Sequence, residues 1–140
     1  MWNISEEVKR AAAVLDIDLT ELSRDVSLEI IRIITEKYTA GNSCFLWDDL
    51  TDYVYVNNSD AWSWINEYIG NTETVMFFNE SDEKKSFLFK NGDDLVAVLG
   101  ETYGFEFYVT NKEKSYLLVF NHHDILMACG DAKNWLNTKK

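Results

Sequence analysis

Both histidines of the chain stand side by side in Asn121-His122-His123-Asp124, a run that gathers two imidazoles and two side-chain oxygens within four residues. Imidazole is a frequent metal ligand and the side chain that titrates nearest neutrality, so metal binding and general acid–base work are the chemistries to weigh. A zinc site takes three or four converging ligands. Adjacent residues at a hairpin tip are expected to splay apart, and neither Cys129 nor Asp131 is placed by the pattern to supply a third ligand. Turn chemistry accounts for the same residues: Asn, Asp and His tolerate positive φ better than other L residues, and Asn and Asp bond their own backbone. We therefore read His122, His123 and Asp124 as a candidate functional turn, with no catalytic residue and no metal assigned. The alternative is a small hydrolase or metal-dependent enzyme centred on that turn.

Other reactive groups carry less. The carboxylate pairs Glu6-Glu7 and Asp93-Asp94 fall at expected helix starts, where negative charge complements the helix dipole, and Asp48-Asp49 follows Trp47. Glycosidase chemistry would need two carboxyls facing each other across a cleft, which spacing does not show. No serine lies in a G-x-S-x-G context, and no glycine-rich loop is arranged to cradle phosphate. The two cysteines, Cys44 and Cys129, sit in apolar surroundings and are expected to be buried, free and inert. Nothing calls for a cofactor. Trp62 and Trp64 are separated by about 200° around a helix axis, so one of them is expected to be exposed. Both are candidate interaction anchors, since aromatic side chains dominate binding hot spots.

Strands must hold such a turn, and Phe105 to Trp135 reads as three of them followed by a helix start. With a turn at Asn111–Lys114 and a two-residue turn at His122-His123, Phe107 should oppose Leu118, Phe120 should oppose Ile125, and Leu118 should oppose Met127. Phe107, Leu118 and Met127 would then share one buried face. The second face is mixed, so a sheet covered fully on one side is expected. Upstream, TVMFFN and SFLFK flank a polar loop as a hairpin. Asn3 with Glu6 starts one helix, Asp18 with Glu21 suggests another, and Ser27 a third rich in isoleucine that ends near Gly41. Ser59 is expected to cap a helix through Trp62 to Ile69, and Asn91 or Asp93 one that runs to Gly104. The expectation is an α+β fold over residues 1–140 as a single domain, with N-terminal helices packed on a mainly antiparallel sheet of about five strands.

The segment from Tyr103 to Leu136, with Val75–Asn79 (VMFFN) and the helix start Gly92-Asp93-Asp94-Leu95, resembles small bacterial proteins of unknown function from low-GC Gram-positive genomes. It also looks like the immunity-type proteins that accompany bacterial toxins. The resemblance covers about the C-terminal half and rests on Phe120–Asp124 (FNHHD), the apolar run after it, and Gly130-Asp131. It implies no catalytic residues.

Twenty-four Asp and Glu against 13 Lys and Arg leave a net charge of −11, which repels nucleic acid and anionic lipid and steers in basic proteins. No secretory leader or membrane span is evident, so a cytoplasmic setting is expected. Together these readings point to a non-enzymatic interaction module with a basic protein partner, and an immunity protein is the form the resemblance implies.

Overall fold

The structure, a computed structural model, describes residues 3–41 and 46–140. The expectations for Cys44 lie outside the described residues. Five α-helices, Ile4–Leu15 (α1), Arg24–Tyr38 (α2), Ile65–Ile69 (α3), Gly92–Gly100 (α4) and Ala132–Asn137 (α5), pack on both faces of one sheet. Its strands are Leu19–Leu22 (β1), Tyr53–Asn57 (β2), Thr74–Phe77 (β3), Ser86–Phe89 (β4), Phe107–Thr110 (β5), Tyr116–Phe120 (β6) and Ile125–Gly130 (β7). The order across the sheet is β1-β4-β3-β5-β6-β7-β2, and every pairing is antiparallel. The α+β class holds, with seven strands in place of about five.

The two added strands are the edges. Asp18 and Glu21 mimic a helix cap, but Leu19 to Leu22 pairs with the open side of β4, and α1 has already ended at Asp16, whose φ of 55° is left-handed. The cap of α2 is Ser23, whose hydroxyl accepts from the Val26 N–H at 3.3 Å. Ser27 instead lies inside the helix, buried, with its hydroxyl 2.7 Å from that of Ser86. At the other edge β2 alternates cleanly. Val54 and Val56 turn to the core, while Tyr53 and Tyr55 stay exposed.

The register of the meander also differs from expectation. Phe107 opposes Phe120, and Val109 opposes Leu118, a shift of two residues that keeps every side chain on its face. Asn111 Oδ1 accepts from the Ser115 N–H at 3.0 Å and Lys114 takes φ 53°, which lengthens the connection. Between β6 and β7 the shift is a single residue, and that inverts β7. Asp124 N–H donates to the Asn121 carbonyl at 3.2 Å and Asp124 itself has φ 60°. The connection is thus three residues, His122 to Asp124, a turn followed by one left-handed residue. Leu126 and Ala128 join Phe107 and Leu118 on one face, and Met127 and Cys129 go to the other.

The inversion is tolerated because both faces are dry. On the first, α1, α3, α4 and α5 cover Phe87, Phe89, Phe107, Leu118 and Leu126. On the second, Ile30, Ile34 and Tyr38 of α2 cover Phe77, Tyr108, Leu117, Val119 and Cys129. The expectation of a sheet covered fully on one side, with a mixed second face, is therefore corrected. With helices on both faces, an alternating pattern is not needed.

Candidate functional site

At one end of the sheet the start of β5, the end of β3 and the β6–β7 connection meet. Glu106, the residue before β5, has a side chain only 12% exposed, and it is the hub. Its Oε1 accepts from Trp47 Nε1 at 3.1 Å and from Asn79 Nδ2 at 2.9 Å. Its Oε2 accepts from the His122 backbone N–H at 2.9 Å and from the ring at Nδ1. Behind it Tyr108 Oη donates to Asn79 Oδ1 at 2.5 Å and accepts from the Trp47 backbone N–H at 3.3 Å. Burial works to raise the Glu106 carboxyl. The hydrogen bonds from His122, Asn79 and Trp47 outweigh it, so the group lies below the ordinary carboxylate range.

Asn121 fixes the turn from within, its Oδ1 accepting from the His123 N–H at 2.9 Å and the Ile125 N–H at 3.3 Å. The two imidazoles do not splay as expected. Their centroids are 3.9 Å apart, and each meets the Trp47 ring edge-on at 5.8 Å. Neighbouring backbone positions can converge here because Glu106 pulls His122 back over Trp47. With Nδ1 donating to Glu106, Nε2 is the nitrogen left to act outward. A carboxylate behind an imidazole is the orienting half of a hydrolytic triad. Among the described residues, however, no hydroxyl or thiol is hydrogen-bonded to that imidazole, and no group of three or more His, Cys, Asp or Glu is placed to hold a metal ion.

On the first face, directly behind the same connection, lies a pocket of about 300 Å³. Trp62, Leu99, Tyr103, Phe105, Phe107 and Phe120 supply its apolar lining, with Ser59, Thr102 and Asp124 as the polar members. The Asn58 N–H donates to the Asp124 carbonyl at 2.9 Å, tying the segment that carries Ser59 and Trp62 to the hairpin tip. A second concavity, about 430 Å³, opens between α2 and the sheet over Leu22, Val26, Ile30, Val75 and Leu88. Charges of both signs border it: Asp25 and Glu29, and Lys112 and Lys114.

The sequence profile of one protein family matches residues 2–140 of this chain. The chain belongs to DUF6756, a family of unknown function. No curated protein and no solved structure matches it. The family relationship extends over nearly the whole chain, whereas the resemblance read from the sequence covered its C-terminal half.

In this DUF6756 chain, His122, His123 and Asp124 do stand together at an exposed tip, with His122 60% exposed. Trp62 and Trp64 do not divide into one buried and one exposed ring. Their segment is a 3-10 turn, Ala61–Trp64, ahead of the short α3, and both are half-buried against the first-face core. Trp62 lines the pocket behind the tip, while Trp64 lies beside Tyr55 and Val56 near the C-terminus. Sequence reading did not join Glu106, Asn79 and Trp47, because no local motif links residues so far apart.

The distribution of charge along the sequence marks the same end. Residues 38–83 hold nine Asp and Glu and no Lys or Arg; residues 91–111 hold four and none; residues 115–132 hold two and none. Every residue named above at the tip and in the pocket behind it comes from these three cation-free stretches. Two described cations near these stretches are engaged: Arg10 by the Glu7 carboxylate at 2.8 Å and the Glu101 carbonyl at 2.7 Å, and Lys84 by the Glu80 carbonyl at 3.4 Å.

Proposed function

We propose that the chain is a non-enzymatic interaction module that receives a basic protein surface at the His122–Asp124 end of the sheet, as an immunity protein receives its toxin. The observation that carries this is the exclusion of Lys and Arg from all three stretches that build that end, on a chain of net charge −11. A field of one sign steers an oppositely charged protein and repels nucleic acid and anionic membrane. The Glu106 network supports the same reading. Its carboxylate oxygens are engaged by four N–H groups, so it serves as a clamp that presents a rigid tip. A cytoplasmic setting is consistent with Cys129 as a free buried thiol.

The hydrolase alternative draws on one feature, the Glu106–His122 pair, in which the carboxylate engages Nδ1. Affinity capture from the host organism, followed by rate measurements with the purified captured protein, separates the two. A basic protein whose association rate falls steeply from low to physiological salt supports the module. Failure to retain any basic protein overturns it, and hydrolysis that His122→Ala abolishes would put the enzyme in its place.

A further inference from the structure

We infer that the pocket behind the hairpin tip takes an ammonium or guanidinium group, the lysine or arginine side chain that a basic partner would insert. The assignment rests on the interaction-module reading for the identity of its owner, and on the pocket's own chemistry for the charge. Aromatic rings present a negative π face, and a cation set over such faces is held by about 0.5 to 2 kcal/mol, more strongly as water is excluded. Trp62 and Tyr103 come from different segments, and Phe107 and Phe120 lie beneath them on neighbouring strands with centroids 6.1 Å apart. Among the described residues the lining contains no Lys or Arg.

Asp124 completes the site. It is exposed, it borders the pocket, and among the described residues no hydrogen bond or ion pair engages its carboxylate, although its backbone is fixed at both ends by Asn121 and Asn58. A carboxylate held on a rigid left-handed turn beside aromatic walls is a counter-ion placed without a cation. An anion would meet that carboxylate, and a neutral apolar group would leave the charge unused. Arg is among the residues that most often dominate protein interfaces, and this pocket, within the usual size range for a ligand site, suits it.

The test titrates the full chain with N-acetyl-arginine amide and N-acetyl-lysine amide, with N-acetyl-norleucine amide as the uncharged control. The readout is the indole N–H resonance of Trp62, assigned with Trp62→Phe. Both cations are expected to give a saturable shift, and norleucine amide none. Asp124→Asn should weaken binding of the cations at least about fivefold. Tyr103→Ala, at a residue 78% exposed whose loss should leave the melting temperature unchanged, should weaken it about threefold. Equal binding of norleucine amide, no saturable shift from either cation, or full affinity in Asp124→Asn each overturns the assignment. The two readings fail separately. A captured basic partner that binds Asp124→Asn and Tyr103→Ala undiminished sinks the pocket and leaves the module, and cation binding with no captured partner sinks the module and leaves the pocket.

Discussion

Glu106 and His122 are joined twice, through the backbone N–H and through the ring, by the same carboxylate oxygen. The first contact fixes where the turn lies and the second fixes how its imidazole points. Glu106→Ala would leave the N–H groups of Trp47, Asn79 and His122 without their acceptor in a mostly buried place. The expected loss is about 3 kcal/mol in urea unfolding at neutral pH. Because the folded pKa of Glu106 lies below its unfolded value, its contribution is complete above about pH 4.3 and disappears as pH falls through the folded value. Wild type should therefore lose more stability between pH 6 and pH 3 than Glu106→Gln does. Equal losses would show that the carboxylate is not held below its ordinary range.

Gly130 and Gly70 both have positive φ, 64° and 60°, yet replacing them should cost different amounts. A Cβ at Gly130 would lie 2.5 Å from the Ser115 carbonyl oxygen and 2.8 Å from Tyr38 Oη, whereas at Gly70 it would meet nothing within 4 Å. Gly70→Ala should cost only the backbone strain of its φ 60°, ψ −139° conformation, about 1 to 3 kcal/mol. Gly130→Ala adds a backbone collision and should cost about 3 kcal/mol or more. Similar losses from the two would contradict the close approach of β7 to the 111–115 turn.

The burial of Cys129 and that of Leu118 are testable side by side. In a Cys44→Ser background the Cys129 thiol, buried beneath α2 and pushed up to about 12 by that burial, should react with a thiol reagent only as fast as the protein unfolds. Leu118→Ala, on the opposite face, should cost about 2 to 5 kcal/mol and leave a cavity under the helices of the first face. Fast labelling of folded protein, or a loss under about 1 kcal/mol for Leu118→Ala, would place one of them wrongly.

The starts of α1 and α4 were legible because Asn3 and Asn91 announce themselves locally, and so was the β3–β4 hairpin, whose apolar runs bracket a charged loop; the Ser23 cap of α2 was not. The β7 register was not legible. ILMAC is apolar at every position, so either parity buries well, and the decision fell to whether Asp124 belongs to the strand or, with φ 60°, to the turn. Edge strand β1 was hidden by a four-residue stretch whose Asp18 and Glu21 satisfy a helix pattern; only the unpaired edge of β4 distinguishes the two. At the site, the histidine turn was visible as composition. The carboxylate that organises it, Glu106, lies 16 residues away and gains its partners only through the sheet.

Docking of a basic partner at the His122–Asp124 end is tested most directly by the association rate of the captured partner with a triple variant, Asp48→Asn, Asp60→Asn and Asp124→Asn. All three residues are exposed, Asp48 next to Trp47, Asp60 on the segment bonded to the tip, and Asp124 in the tip itself. The expected result is an association rate about tenfold lower at low salt, with a flattened salt dependence. A control with Asp18→Asn, Glu29→Gln and Glu36→Gln, on α2 and beside β1, should change the rate far less. An unchanged rate in the first variant, or an equal fall in both, would contradict docking at this end.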